Sequence, residues 1–126
     1  MNIKLGQIEN ILQSMEVLIL KELPIKTSYK LSKLIKTLTS EYELFESKRI
    51  DLVKRFAEKD KDGNVKEFDG GKVNICKDTI QEFNDSFKEL CDIDVVVEFE
   101  HISIESLGDI NISTKDLFNL EMFFVD

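Results

Sequence analysis

Few side chains in this sequence have the types and spacing that catalysis requires. His101 is the only histidine; it follows Glu98 and Glu100 and could act as an acid or base. No Ser, Cys or Asp beside it completes a nucleophilic arrangement, so an exposed histidine at a strand end is the favoured interpretation. A phosphate-binding glycine loop, a paired-carboxylate motif and a nucleophile elbow are also missing. We therefore expect no catalytic residues, no cofactor and a protein that is not an enzyme.

A short acidic segment has some of the character of a calcium loop. Its oxygen-bearing side chains are Asp60, Asp62, Asn64 and Glu67. An EF-hand loop needs glycine at its sixth position and glutamate at its twelfth. Here Gly63 falls two places early and the twelfth position is Gly71. The segment is therefore predicted to be a polar turn that ends a helix, and no metal site is expected.

The cysteines, Cys76 and Cys91, bracket a predicted helix. An intact helix between them would hold them about 22 Å apart, which is beyond disulfide reach. Neither has His or Cys neighbours at zinc spacing. We expect two free thiols in a reducing compartment.

A row of lysines is the more promising feature. Lys26, Lys30, Lys33 and Lys36 follow one another at helical spacing, so they share one side of a helix. Such a row could contact an anion or nucleic acid, or dock an acidic partner. It could also be a solvated face, or an internal match to acidic parts of the same chain. Among aromatic residues only Tyr29 lies within the row, which disfavours base stacking and hence nucleic-acid binding.

Composition points in the same direction. The chain has 126 residues, 42% hydrophobic content and a formal net charge of −8, which is consistent with one globular domain, 1–126, that repels nucleic acid. Residues 1–77 carry 15 basic and 12 acidic side chains, whereas residues 78–126 carry 2 and 13. The apolar stretch Ile8–Leu20 is interrupted by polar residues and no cleavage-site pattern follows it, so neither a signal peptide nor a membrane span is expected. The predicted location is the cytoplasm of a host cell.

The lysines lie on a predicted helix of unusual length. Residues 26–59 contain no Pro or Gly, and an apolar stripe recurs at steps of three, four or seven. A helix of this length spans roughly 50 Å, more than its own chain can cover, so we predict a homo-oligomer formed through its distal half. Arg49 takes one place in the stripe, either as a charge that sets register or as a side chain that leans outward. The predicted self-association residues are Phe45, Arg49, Leu52 and Phe56.

Shorter elements surround this helix. A first helix, residues 7–21, is expected to lie against the first half of the long helix, and a third helix extends from Lys77 or Asp78 to Cys91. Alternation over residues 93–101 predicts a half-buried strand, with a second strand at residues 110–112. Residues 65–68 and 73–76 suggest a small hairpin, and Ser113 is expected to cap a helix over residues 115–122. The apolar tail, residues 122–125, should dock on the core. The expected fold is α+β: a long helical hairpin, a third helix, a small antiparallel β element built from the C-terminal strands, and a short C-terminal helix.

Six segments together carry a resemblance: LPIKTSYKL at 23–31, YELFESKR at 42–49, KDKDGN at 59–64, FN at 83–84, EL at 89–90 and LGDINIS at 107–113. In this order they resemble a group of small prefoldin-like proteins encoded by tailed phages and prophages of Gram-positive bacteria. The resemblance covers nearly the whole chain, and its motifs are turns, caps and core residues. It implies a phage role and a prefoldin-like fold, with no active site to transfer.

The sequence therefore favours a non-enzymatic phage accessory protein that binds a host or phage protein, with inhibition of a bacterial defence component as one expected outcome. One alternative is a structural or chaperone-like role in assembly of the phage tail or neck. Another is an oligomeric protein that sequesters a small anionic nucleotide with its lysine row.

Overall fold

The computed structural model describes the backbone of residues 1–126 and every side chain except that of Asp69. The elements in chain order are β1 (Asn2–Lys4), α1 (Ile8–Ile19), α2 (Ile25–Phe56), α3 (Ile80–Cys91), β2 (Asp94–Val96), β3 (Ile102–Ser103), α4 (Thr114–Leu120) and β4 (Phe124–Val125). This order confirms the mixed helix-and-sheet class, the long helix and a small antiparallel strand pair.

The long helix, α2, has 32 residues and is therefore about 48 Å in length. It begins directly after Pro24, whose ring is tolerated there because the first helical N–H groups have no partner within the helix. It ends at Phe56, three residues earlier than predicted. The returning chain causes this early end, because the Cys76 N–H donates to the Phe56 carbonyl and the Glu58 N–H donates to the Asn74 carbonyl, both at 2.8 Å.

The first half of α2 is covered by α1, as predicted. The apolar face of α1 is buried, and so are Leu31, Leu34 and Leu38 of α2. The Tyr42 hydroxyl lies 3.5 Å from Glu9 at the start of α1, and Ile19 at its end borders the first turns of α2. The two helices therefore run antiparallel. On its other side α1 contacts α4, where the Asn119 amide donates to the buried Ser14 hydroxyl at 2.9 Å.

The second half of α2 is covered by α3 through a chain of aromatic rings. The ring centroids of Phe45 and Phe87 are 6.2 Å apart, and those of Phe56 and Phe83 are 6.0 Å apart. Phe83 and Phe87 stack at 6.2 Å. Such pairs add to the free energy gained by burying apolar area. The side of the distal half of α2 that carries Phe45 and Phe56 is therefore covered, in part, by the same chain.

The turn after α2 is organised by Asp60. Its Oδ1 accepts the N–H groups of Asp62 at 2.9 Å and Asn64 at 3.0 Å, so the carboxylate is engaged in holding the turn. The predicted hairpin between residues 65–68 and 73–76 does not form in the described backbone. Phe68 pairs with Lys72 across the turn, but Val65 pairs with Lys59 and Ile75 pairs with Ala57, both in the chain just after α2.

The sheet pairing differs from the prediction. β2 pairs antiparallel with the N-terminal strand β1, with Ile3 opposite Val95, rather than with a later strand. The predicted alternation is visible in burial, because Val95 and Val97 are buried whereas Val96, Glu98 and Glu100 are exposed. Regular strand structure, however, covers only Asp94–Val96 of the predicted residues 93–101, and Ile93 is exposed.

The prediction of a strand at residues 110–112 is wrong. Ile110 and Ile112 are half-buried against the core, in backbone without strand pairing. The second strand pair is instead parallel, with Ile102 opposite Phe124. The predicted cap is confirmed, since Ser113 Oγ accepts the Asp116 N–H at 3.0 Å, and α4 begins one residue earlier than expected. The tail docks through Phe123, which is fully buried.

In the part of the chain that the structure describes, no helix is both long and apolar enough to cross a bilayer.

Gly6 is required by the close approach of two elements, the turn Leu5–Gln7 and the end of α3. A Cβ at Gly6 would lie 2.8 Å from Cys91 Cβ and 3.3 Å from Cys91 Cα, atoms that no rotamer change can move. We expect Gly6→Ala to lower the free energy of unfolding by about 1–3 kcal/mol, the usual cost of overpacking. Urea denaturation followed by circular dichroism measures this. Ser40→Ala, an exposed change on α2, is the control, and equal stability of the two variants would contradict the prediction.

Candidate functional site

The predicted lysine row lies along the exposed side of the first half of α2. Lys30, Lys33 and Lys36 line one groove, and Lys26 lines a hollow that adjoins it. Their helical spacing spreads four ammonium groups over about 15 Å of the helix. The structure therefore brings all four predicted residues to one surface.

The groove lies between α2 and the extended segment that follows β2. Its volume is about 770 Å³, within the range of ligand and peptide pockets in proteins. The helix contributes Tyr29, Lys30, Lys33, Leu34, Lys36 and Thr37. The end of β2 contributes Val96, and the segment after it contributes Glu98, Phe99 and Glu100. Sequence reasoning found the lysines and missed the second wall. The alternation of residues 93–101 marked Glu98 and Glu100 as one strand face, but their position beside α2 is a property of the tertiary fold.

The charges of the groove partly compensate one another. Lys30 Nζ lies 3.7 Å from Glu100 Oε2, and Lys33 Nζ lies 5.6 Å from the centre of the Tyr29 ring. Among the described side chains, no carboxylate lies within 4.0 Å of Lys26, Lys33 or Lys36. Lys30 therefore forms an ion pair with an acidic residue of the same chain, whereas the charges of the other three lysines are available to a ligand.

Exposed apolar side chains surround the lysines. Tyr29 is 65% exposed and borders the main groove and two further hollows. Val96 is 68% exposed, Ile25 83% and Ile19 51%. Exposed aromatic and aliphatic side chains that lie together, with charged residues around them, are typical of a protein-binding surface with an apolar centre and a polar rim. We call the groove and its adjoining hollows the Tyr29 surface.

The predicted self-association residues lie on the distal half of α2, where α3 covers them in part. Phe45 is 5% exposed and contacts Phe87, whereas Leu52 and Phe56 are half-buried. Oligomer formation through these residues stays a prediction. The exposed apolar residues of that half are instead Leu44 and Ile50.

Arg49 leans outward and pairs within its own helix. Its Nη2 donates to Glu46 Oε2 at 2.8 Å and its Nε donates to Oε1 at 3.1 Å, so the contact is bidentate. Glu46 also accepts a hydrogen bond from the Tyr42 hydroxyl at 3.3 Å. The hydrogen bonds from Arg49 lower the pKa of the Glu46 carboxyl. Arg49 is thus half-exposed and paired within one helix, and a role in the register between copies stays a prediction.

The remaining candidates have local roles. His101 is exposed, and its ring lies 5.0 Å from that of Phe99. Both cysteines are free, and burial raises the pKa of the Cys91 thiol, which favours its protonated form over the more reactive thiolate. The described side chains include no group of three or more residues placed to hold a metal ion. The Tyr29 surface combines charged and exposed apolar side chains, so its geometry is suited to binding a ligand through both kinds of contact.

No family model matches this chain, and neither the curated proteins nor the solved structures contain a match.

We expect Phe45→Ala to lower the free energy of unfolding by about 3–5 kcal/mol, because it removes a buried ring that joins α2 to α3. Urea denaturation measures the loss, and sedimentation measures the mass of the same variant. Leu44→Ala, a change at an exposed site one residue away, is the matched control. A folded Phe45→Ala variant with unchanged stability but smaller mass would instead place Phe45 at an interface between copies.

A second prediction concerns Glu46 and pH. Its pKa is lower in the folded chain than the ordinary glutamate value of 4.5, so its ion pair contributes fully to stability above that pH. The contribution fades as pH falls through the folded pKa. Arg49 and Glu46 keep 39% and 30% of their side-chain area exposed, and an ion pair of this spacing on a helix contributes about 0.2–0.5 kcal/mol. We expect Arg49→Gln to raise the Glu46 pKa, measured by carboxyl carbon shifts in NMR titration. An unchanged pKa would contradict this role of Arg49.

Proposed function

We propose that this chain is a non-enzymatic accessory protein of a phage or prophage that acts by binding another protein of the host or phage. Inhibition of a bacterial anti-phage defence component is the mode of action that we favour. The observation that carries the proposal is the Tyr29 surface, where an exposed aromatic ring and four lysines share one side of α2.

The chemistry of this surface supports a protein partner. Tyrosine offers a rigid apolar ring with a polar tip, and aromatic residues near the centre of an interface commonly carry most of its binding energy. The surrounding lysines can speed association with an acidic partner through long-range attraction. Because these residues lie on a helix that is already formed, binding costs little backbone conformational entropy.

Quantitative affinity capture from host lysate tests the proposal. The double variant Lys33→Glu/Lys36→Glu should lose a specific partner by about tenfold or more, since reversing two contact charges removes upwards of 1.4 kcal/mol. The control variant is Lys48→Glu/Lys54→Glu, which makes the same charge change at exposed positions of the distal half of α2. Both variants are first compared with the wild type by circular dichroism.

Tyr29→Ala distinguishes the ring from the charges. It should weaken capture of the same partner by more than tenfold, because truncation of a central aromatic residue costs about 2 kcal/mol or more. Equal capture by the wild type, the Lys33/Lys36 variant and Tyr29→Ala would refute the proposal. Copurification with assembled particles, lost in the same variants, would favour the assembly role over inhibition.

The size of the groove favours one second candidate, capture of a small anionic nucleotide. A volume of about 770 Å³ accommodates such a ligand beside Tyr29 and the lysines. A thermal-shift screen against nucleotides and cyclic nucleotides tests it, because a ligand that binds only the folded state raises the melting temperature. Glu98 and Glu100 in the opposite wall weigh against this candidate.

A further inference from the structure

The two walls of the groove carry opposite charges. The α2 wall presents Lys30, Lys33 and Lys36, and the wall formed by the segment after β2 presents Glu98 and Glu100. Three positive and two negative groups sum to a formal charge of +1, so the groove as a whole is almost neutral. The Glu98 and Glu100 side chains lie on the exposed side of their segment, where a ligand in the groove would meet them.

This arrangement penalises ligands of a single charge sign. A phosphate-dense anion that approaches Lys33 and Lys36 also approaches two carboxylates, and like charges raise its free energy. It also competes with Glu100 for Lys30, which already lies 3.7 Å from that carboxylate. A ligand with separated charges of both signs avoids both costs.

The groove also has an apolar part. Leu34 forms buried floor, while Tyr29 and Val96 each expose about two thirds of their area beside it, 65% and 68% respectively. An apolar side chain placed there would contact Leu34 and remove Tyr29 and Val96 from water, which stabilises a complex in proportion to the buried area.

We infer that the groove takes a protein segment of mixed charge: carboxylates toward Lys33 and Lys36, a cationic side chain toward Glu98 and Glu100, and an apolar side chain between Tyr29 and Val96. This inference rests on the proposed function and names the chemistry of its partner. Charge complementarity on two walls makes the partner's orientation specific, because a reversed segment would place like charges together on both sides.

Two synthetic peptides and one inorganic anion test the inference. One peptide contains Glu, Lys and Leu; the second has the same sequence with every Lys replaced by Gln; the anion is tripolyphosphate. Binding is measured by calorimetry at an ionic strength of about 0.01 M, where screening is weak. The proteins are the wild type, Glu98→Gln/Glu100→Gln, and the control Glu82→Gln/Glu89→Gln, which makes the same charge change on exposed positions of α3.

The mixed-charge peptide should bind the wild type and the control about tenfold more tightly than the acidic peptide does, equivalent to one ion pair of about 1.4 kcal/mol. In Glu98→Gln/Glu100→Gln the order should reverse: the mixed-charge peptide binds more weakly, and the acidic peptide and tripolyphosphate bind more tightly. If the groove were a simple anion site, Glu98→Gln/Glu100→Gln would bind all three ligands more tightly than the wild type does, or equally well. The direction of change in the affinity for the mixed-charge peptide therefore distinguishes the two kinds of site.

Three outcomes would overturn the inference. The first is that the wild type binds the acidic peptide or tripolyphosphate more tightly than the mixed-charge peptide, and the second is that it binds neither peptide. The third is a mass that rises with protein concentration in the wild type but not in Lys33→Glu/Lys36→Glu, which would place a second copy of the chain in the groove. If capture of the lysate partner still depends on Lys33 and Lys36 when the peptides fail, the proposed function stands and the mixed-charge inference alone falls.

Discussion

The apolar face of α2 is longer than any other element of this chain, and the need to cover it in two separate halves is the constraint on which the rest of the fold depends. α1 and α3 have 12 residues each, so each covers about 18 Å of a helix about 48 Å in length. The two covering helices lie at different ends of α2, so the chain passes from α1 to α3 along α2 and then returns from α3 to α1, where α4 packs. The turn near Asp60 and the long return to the C-terminal elements follow from this division.

Features that depend on neighbours in sequence were predictable. Periodicity located α1, α2 and α3, and the Ser113 cap located the start of α4, because these signals lie within one or two turns of the residues they affect. The end of α2 was misplaced by three residues because Asn74 and Cys76, distant in sequence, take its last backbone groups. The missed β1 strand has three residues, too few to show a period of two.

The same division applies to the site. The lysine row is visible in the sequence because a helix alone places its members together. The glutamates opposite are more than sixty positions later, and only the packing of the segment after β2 against α2 brings Glu100 to Lys30. A charge row read from sequence therefore predicted a basic surface, whereas the folded chain has a groove with one basic and one acidic wall. The four predicted lysines lie where the sequence places them, but the glutamates opposite partly neutralise their charge and so change the class of ligand that fits the groove.

The pairing of β1 with β2 has a consequence for how the chain acquires its structure. Ile3 lies opposite Val95, so the first strand has no partner until nearly a hundred residues have been synthesised. α1 is likewise separated from α4 by most of the chain, and closing loops of this size carries an entropic cost that slows folding. On the ribosome, α1 and the first half of α2 can associate early, whereas β1 and the outer side of α1 stay uncovered until β2 and α4 have been synthesised. Ile3 therefore stays exposed during this whole interval, which prolongs the time in which the nascent chain can associate wrongly.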